Sequence, residues 1–263
     1  MPILDPSPAL TAYERLAAHY DDFTRDHDHR TWLTRLEHLA RGHGLDGRTV
    51  LDVACGTGKS LEPVLALGYT GAGCDISPAM LARARWRLPG TWLCEADMRD
   101  LPPLGRFAWV TCLDDALNYL LDDADLAAAL AAMASVLDDG GVVTFDLNTL
   151  SAHRDGFSST WVVEEPGLHL CWQGRGCDDG RGEPGRADID CFRAVGGAWE
   201  HEVSRHEQRW WSTADVAEAA AQAGLEIAGV HGQRPGAAIQ DEPDEARCTK
   251  SVFFLRHATG VRT

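Results

Sequence analysis

A glycine-rich loop holds the first residues of this chain whose types and spacing suggest chemistry. The loop, Asp52–Val53–Ala54–Cys55–Gly56–Thr57–Gly58, follows a short apolar run and precedes a segment with helical spacing. Backbone N–H groups and a helix N-terminus at such a turn can face a ligand, because glycine lets the backbone approach closely. Two glycines alone are also typical of an ordinary tight turn, so other residues must identify the ligand.

Two acidic residues farther along the chain narrow the choice of ligand. Asp75 lies 17 residues after Gly58, near the roughly 20 expected for a carboxylate that binds ribose hydroxyls. Asp97 could accept a hydrogen bond from the exocyclic amine of adenine, with Met98 against the ring. The third glycine of a dinucleotide-binding loop is missing, because the loop continues as Lys59–Ser60–Leu61. These residues predict an adenosine compound that lacks a pyrophosphate.

Polar residues that follow the fourth and fifth predicted strands are candidates for the second half of the site. Ligands of parallel sheets bind beyond the carboxyl ends of the strands. A carboxylate at position 114 or 115 could attract an ammonium group, and for Asp115 helix capping is an equally good interpretation. The residues concerned are Asp114, Asp115, Asn118, Tyr119, Asp146 and Asn148.

An aromatic-rich segment, residues 151–211, could close over a small organic molecule and exclude water. It contains Trp161, Trp172, Trp199, Trp210 and Trp211, five of the nine tryptophans. Strand alternation places His206, Gln208 and Trp210 on one face. From this aromatic-rich segment we expect Trp172 and Trp210 to contact the substrate. If that face lines the cleft, His206 is the candidate general base. A structural histidine and a small hydrophobic core are the alternative interpretations.

The elements that must position these residues alternate along the chain. Helical spacing occurs at residues 8–20, 29–41, Leu61–Leu67 and Asp125–Leu137. Another helix should begin at Ser77–Pro78, with Ser77 as its N-cap. Gly140–Gly141 should end the helix at Asp125–Leu137. The predicted strands are Thr49–Ala54, Thr70–Asp75, Thr91–Ala96, Phe107–Leu113 and Val142–Leu147. This order predicts a doubly wound, mostly parallel, seven-stranded α/β sheet.

A single domain with four parts is expected. Residues 1–44 form N-terminal helices, 45–150 the ligand-binding core, and 151–211 an antiparallel β insertion that acts as a lid, with a turn-rich stretch at 178–185. In residues 212–263 the core ends with a helix at Thr213–Ala223, capped by Ser212, and with strands Leu225–Val230 and Ser251–Arg256.

Composition excludes several classes of partner. The formal net charge of −16 repels phosphate backbones, so nucleic acid is not expected. The N-terminus has no signal-peptide pattern, and no apolar run approaches the ~18 residues of a membrane helix, so the cytoplasm is the expected location and no membrane partner is expected.

No metal site is expected from the sequence. The eight cysteines form no C-x-x-C pair, which argues against zinc. The run Asp26–His27–Asp28–His29 is discounted because adjacent residues rarely converge on one ion, and Asp28 is a plausible helix N-cap. Leu147 separates Asp146 from Asn148, which argues against a magnesium site built on an adjacent Asp–Asn pair.

Five ordered segments within residues 45–150 resemble the successive S-adenosylmethionine (SAM) binding motifs of class I SAM-dependent methyltransferases. The segments are Val50–Gly58, Gly73–Met80, Glu95–Leu101, Leu113–Tyr119 and Leu137–Phe145. The order of core and lid resembles bacterial small-molecule methyltransferases, including aminosugar N-methyltransferases. The resemblance implies SAM as cofactor and a small-molecule acceptor. A homodimer is one assembly compatible with the sequence.

The resemblance also implies a role for each residue of the site. Asp52 and the backbone of Ala54, Gly56, Thr57 and Gly58 hold the amino-acid end of SAM. Asp75 holds the ribose, Ile76 and Met98 enclose the adenine, and Asp97 reads its amine, with Met80 and Ala96 beside it. Leu113 lies near the sulfonium. Tyr13 and Tyr20 close over the cofactor, or belong to the core of an amphipathic helix.

The expected activity is in-line methyl transfer to N or O of a small molecule. A hydroxyl acceptor needs a base, whereas an amine must only arrive unprotonated. Asp114 and His206 are therefore the candidate catalytic residues. An NAD(P)-dependent oxidoreductase and a non-catalytic SAM-binding regulator are the alternatives.

Overall fold

The chain folds around a twisted central sheet, with a second sheet above its carboxyl-terminal edge. A computed structural model describes residues 8–177, 183–244 and 246–259; most of the predicted turn-rich stretch 178–185 lies outside them. The strands are β1 (Thr49–Val53), β2 (Thr70–Asp75), β3 (Trp92–Glu95), β4 (Phe107–Cys112), β5 (Leu137–Asn148), β6 (Thr160–Glu165), β7 (Leu168–Gly174), β8 (Gly185–Val195), β9 (Ala198–Gln208), β10 (Leu225–Arg234), β11 (Ala238–Gln240) and β12 (Lys250–His257).

The central sheet has the strand order β11-β10-β12-β5-β4-β1-β2-β3. The strands from β1 to β5 pair in parallel, and β12, β10 and β11 continue the sheet antiparallel to their neighbours. This confirms the doubly wound, mostly parallel α/β fold. The sheet has eight strands rather than seven, because the short β11 pairs with the end of β10.

Helices cover both faces of the central sheet and bury two separate apolar clusters. Side chains alternate across β1, so Val50 packs in one cluster and Leu51 in the other, as the two-residue period of a strand requires. The helices are α1 (Pro8–Leu16), α2 (Tyr20–Phe23), α3 (His29–Gly42), α4 (Leu61–Ala66), α5 (Pro78–Arg87), α6 (Asp123–Ser135), α7 (Leu150–Ser158) and α8 (Thr213–Gln222).

Three predicted helix caps are confirmed by side-chain hydrogen bonds. Asp28 accepts from the backbone N–H of Thr31, Ser77 caps α5, and Ser212 forms a capping box with Asp215. Each cap satisfies a backbone donor that the helix itself leaves unpaired. The start of α3 and the start of α5 are thereby fixed next to the site described below.

The second sheet contains β6, β7, β8 and β9 in antiparallel order, which confirms the predicted β insertion. Its apolar face packs on Leu16 of α1 through Leu168, Leu170 and Ile189. We call the sheet of β6, β7, β8 and β9 the lid sheet. It and the N-terminal helix α1 therefore pack as one unit above the carboxyl ends of the central strands.

Several element boundaries were predicted wrongly. The helix expected over 8–20 is interrupted after Leu16 and resumes at Tyr20. Gly140 and Gly141 do not end a helix; they lie inside β5, because α6 already ends at Ser135. The helix α7 was not predicted, since its sequence is largely polar. No helix within the described ranges is long and apolar enough to cross a membrane.

Candidate functional site

The glycine-rich loop makes a sharp turn between β1 and α4. Ala54, Gly56 and Gly58 all have positive φ, at 56°, 53° and 83°, a region that glycine enters without strain. A Cβ atom on Gly58 would also lie 2.8 Å from Leu88 Cδ1, so the φ of 83° and this close approach together favour glycine at position 58. The buried Thr57 donates its hydroxyl to Asp21 at 2.6 Å, which connects the loop to α2.

Asp75 lies at the loop, where the spacing placed it. Its carboxylate accepts hydrogen bonds from the backbone N–H groups of Gly56 and Ser77, both at 2.8 Å. Burial raises the pKa of Asp75 to about 6, against these two bonds, which lower it. Asp75 therefore joins the loop to the start of α5, with Ile76 partly buried beside it and the N–H of Ala96 donating to its backbone carbonyl.

Two other acidic residues expected to bind the cofactor have protein partners. Asp52 is buried, and its carboxylate accepts from Ser60 Oγ at 2.6 Å and Thr111 Oγ1 at 2.7 Å. Asp97 is held by the guanidinium of Arg99, whose Nη2 lies 2.6 Å from Asp97 Oδ2. Both side chains support the walls of the site, and direct contact with a ligand stays a prediction for each.

The apolar residues expected around the cofactor differ in burial. Met80 is fully buried in the first turn of α5, so its side chain is part of the core rather than of an open surface. Leu113 is buried at the end of β4, and Met98 is partly buried against the larger core cluster. Only Met98 of these three keeps an appreciably accessible side chain.

The two N-terminal tyrosines connect the loop with a neighbouring cavity. A Cβ built on Gly56 would lie 4.0 Å from the ring of Tyr20, and both Tyr20 and Tyr13 line a cavity of about 690 Å³. Their rings pack edge to face, with centroids 6.0 Å apart. Glu14, between them in sequence, accepts from Ser77 Oγ at 2.6 Å and from the N–H of Ala79 at 2.9 Å. The first two helices therefore pack against the loop and the start of α5, and their closure over the cofactor stays a prediction.

One wall of the cavity is aromatic. Trp161 and Trp172 of the lid sheet stack with centroids 5.9 Å apart, and Phe23 of α2 stacks on Trp161 at 5.2 Å. Tyr119 and Asn148 also line the cavity, which supports three of the five predicted substrate contacts. The other two fail: Asn118 is buried, with its amide bonded to the Arg209 carbonyl, and Trp210 lies beyond the end of β9, outside the lining.

The opposite wall is acidic. Asp114 and Asp115 follow β4 with positive φ of 59° and 52°, and their backbone N–H groups donate to the carboxylate of Asp146 at 2.8 and 2.9 Å. Lys250 Nζ lies 2.9 Å from Asp115 Oδ1 and 2.6 Å from Asp146 Oδ2. Burial by itself lowers the pKa of Lys250, but the three carboxylates raise it above its ordinary value. Asp115 thus accepts from Lys250 and Gln208 instead of capping a helix.

Asp114 has two histidine neighbours that the sequence argument missed. His29 Nε2 lies 2.9 Å from Asp114 Oδ2, and His27 Nδ1 lies 4.0 Å from Asp114 Oδ1. Burial would raise the pKa of Asp114, but the hydrogen bond and charge of His29 lower it below its ordinary value. The contact joins residues 85 positions apart, so local spacing offers no signal for it.

His206 is poorly placed for the predicted role of general base. The ring is buried, with Nδ1 2.9 Å from the Tyr119 hydroxyl and Nε2 3.0 Å from Ser204 Oγ. Burial lowers the pKa of His206 to about 4, although Asp115 and Asp188 oppose the shift. Both ring nitrogens are engaged and the ring is a weak base, so His206 positions Tyr119 in the cavity wall.

Comparison with known proteins adds an independent observation. Residues 50–141 match the family model described as a methyltransferase domain. The chain is 34% identical over 144 residues to a dTDP-3-amino-3,4,6-trideoxy-alpha-D-glucopyranose N,N-dimethyltransferase of Streptomyces venezuelae, and 42% identical over 106 residues to a dTDP-3-amino-3,6-dideoxy-alpha-D-glucopyranose N,N-dimethyltransferase of Streptomyces fradiae. These matches cover 54% and 40% of this chain, but only 61% and 42% of the relatives' own lengths.

A solved structure matches over nearly the whole chain. It is a SAM-bound amino pentose methyltransferase from Micromonospora echinaspora, with a TM-score of 0.71 and 25% identity. The match covers 92% of this chain and 96% of the other. The likeness therefore extends well beyond the residues matched by the methyltransferase domain model.

Proposed function

We propose that this chain is a SAM-dependent methyltransferase and that it transfers the methyl group of SAM to an amine nitrogen of a small organic acceptor. The named relatives act on amino groups of sugars. The observation that carries the proposal is a cavity with one acidic and one aromatic wall, joined to the glycine-rich loop through Tyr20.

The charge around the loop suits the cofactor. SAM supplies an electrophilic methyl group on a sulfonium cation. Asp52 and Asp75 lie close enough to interact electrostatically with each other, and Asp114 acts on Asp52 as well. Carboxylates in a buried site favour a cationic ligand and disfavour the pyrophosphate of a dinucleotide. In the proposed complex Asp75 accepts from the ribose hydroxyls, and Tyr13 and Tyr20 exclude water.

The acidic wall favours an amine as acceptor. Asp114 and Asp115 lie in the cavity lining at the end of β4. With Asp146 they make three carboxylates beside the single lysine Lys250, and this excess of negative charge favours an ammonium group. Hydroxyl methylation needs a proton acceptor in the transition state, and the candidate, His206, is buried and bonded at both nitrogens. An amine needs only to lose its proton before attack. The side chains of this cavity therefore support N-methylation over O-methylation.

The aromatic wall favours an acceptor with an extended apolar or sugar face. Trp172 stacks on Trp161 and also donates Nε1–H to the Gly156 carbonyl at 2.7 Å, which fixes its ring. A fixed ring supplies contact area without ordering on binding. Lys250, the lysine of the lining, is already bonded to two carboxylates. A phosphate attached to the acceptor therefore gains little binding energy from Lys250. We infer that recognition centres on the amine-bearing ring.

A screen with radiolabelled SAM tests the proposal. The acceptors are an amino sugar, the same sugar joined to a thymidine diphosphate, and the hydroxyl analogue of each. We expect label in the amino compounds and none in the hydroxyl analogues. Label in the hydroxyl analogues alone would overturn the choice of nitrogen.

The variant Trp172→Ala should raise KM for the accepted amine several-fold while SAM binding stays unchanged. An unchanged KM would mean that the aromatic wall does not contribute to recognition of the acceptor.

A further inference from the structure

Two imidazoles and one carboxylate converge in the lining of the cavity. His27, His29 and Asp114 each offer one ligand atom, and these three atoms all lie within 4.8 Å of one another. We propose that they form a binding site for a divalent transition-metal ion of the zinc type. The inference goes beyond the proposed function, because binding of the ion can be measured without SAM or an acceptor.

The distances are compatible with one ion after a small adjustment. His29 Nε2 and Asp114 Oδ2 are 2.9 Å apart, and His27 Nδ1 and Asp114 Oδ1 are 4.0 Å apart. When two ligand atoms are each about 2.0–2.2 Å from a tetrahedral zinc ion, the distance between these two atoms lies between 2.9 and 4.0 Å. His27 is exposed and lies in the linker before α3, so its ring can move the required distance without disturbing the core.

The two better buried ligands are already oriented by other protein groups. His29 Nδ1 lies 3.2 Å from the His27 carbonyl, which directs Nε2 toward Asp114. This is the arrangement in which a ligating histidine donates its second N–H to a backbone carbonyl. The backbone of Asp114 is held by its N–H bond to Asp146. Asp28, between the two histidines, caps α3 and anchors the linker.

The donor set selects the kind of ion. Imidazole nitrogen suits zinc and its first-row neighbours, whereas magnesium prefers oxygen and water. The nearby carboxylates of Asp115 and Asp146 share Lys250 as their cation, while Asp114 faces the two histidines. Three protein ligands leave a position open. All three residues line the same cavity as Trp172 and Tyr119, so that position faces the acceptor space.

A second histidine pair provides the rival explanation for any metal binding. His43 Nε2 and His231 Nε2 lie 2.8 Å apart, remote in sequence from the proposed ligands. Among the described residues, His27, His29 and Asp114 form the one group of three or more side chains that could hold a metal ion, whereas His43 and His231 are a pair. A variant of each group therefore separates the two sites.

The experiment is a titration of the full chain, free of any affinity tag, with ZnCl₂ by calorimetry and with Co²⁺ by visible absorption. We expect one ion per chain, with no competition from millimolar Mg²⁺. Since loss even of supporting groups weakens metal sites about 10- to 100-fold, His29→Ala and Asp114→Asn should weaken binding by at least that factor. His38→Ala, on the exposed face of α3, and His231→Ala should leave it unchanged.

Several outcomes would overturn the site. They are the absence of zinc binding by the unaltered chain, undiminished binding by a folded Asp114→Asn variant, loss of binding on His231→Ala alone, and a Co²⁺ spectrum with thiolate charge-transfer bands. The circular dichroism of each variant shows whether it is folded. His27→Ala, at an exposed position, provides the same test without altering a buried side chain.

Discussion

At the residue scale, the polar side chains of the cleft differ in what already holds them. Asp52 and Asp97 are bonded to protein groups, and Asp75 bridges two backbone N–H groups at the loop. His206 is held between Tyr119 and Ser204. A residue type in a motif predicts that a group is present, but its hydrogen-bond partners decide whether it supports the site or meets the ligand.

The buried His206 should make the protein sensitive to acid. Its pKa is lowered to about 4 in the fold against about 6.5 when unfolded. As pH falls from 7 to 5 the unfolded chain binds a proton that the folded chain excludes, so stability falls by about 2 kcal/mol. Urea unfolding at both pH values should show that His206→Gln loses this part of the decrease. An equal decrease in stability in both proteins would mean that the fold does not lower the pKa of His206.

At the element scale, the first two helices should control how long the cofactor stays. Glu14 of α1 ties this segment to the start of α5 through Ser77 and Ala79. Hydrogen bonds to a charged group at an exposed site contribute about 1 kcal/mol, so Glu14→Ala should raise the dissociation rate of SAM about 5-fold. Stopped-flow displacement measures that rate.

The conservative variant provides the control for this helix contact. Glu14→Gln keeps an oxygen that can accept from Ser77, so we expect a dissociation rate close to that of the unaltered chain. If both variants release SAM as slowly as the unaltered chain, the N-terminal helices do not close over the cofactor.

Elements with strong local signals were predicted well. The parallel strands are apolar runs separated by helices with caps at Ser77 and Ser212, and these caps form as expected. Gly140 and Gly141 misled the prediction because α6 already ends at Ser135. The two glycines instead lie in the irregular stretch of β5 between Leu137 and Val142, which pair with Phe107 and Trp109 of β4. The helix α7 is largely polar, so its sequence signal is weak. Its N-cap at Thr149 and its packing against β5, β7 and β8 stabilise it.

The site was predicted in part, because the sequence signals local positions but not contacts between distant residues. Asp75, Tyr13 and Tyr20 lie where order along the chain placed them. The contacts of Asp114 with His29 and of Asp115 with Lys250 join residues 85 and 135 positions apart. Such pairs form when separate elements meet at one edge of the sheet, and a single sequence contains no spacing that signals them.

At the scale of the whole molecule, the net charge of −16 should attract a cationic acceptor. Between about 10 mM and 0.15 M salt the Debye length falls from about 30 to about 8 Å, so the long-range attraction is lost. We expect KM for an amine acceptor to rise several-fold over this range. The inhibition constant of its neutral hydroxyl analogue should stay constant, and a parallel change in both would argue against an electrostatic origin.

The most direct test of the central claim, that the loop and Asp75 hold SAM, is a calorimetric titration with SAM and, separately, with NADH. We predict that one SAM binds per chain and that NADH does not bind. Asp75→Ala should weaken SAM binding roughly 10- to 100-fold, because it removes charge-assisted bonds of about 1.5–3 kcal/mol. Binding of NADH without a response to SAM, or undiminished SAM affinity in a folded Asp75→Ala variant, would contradict the account.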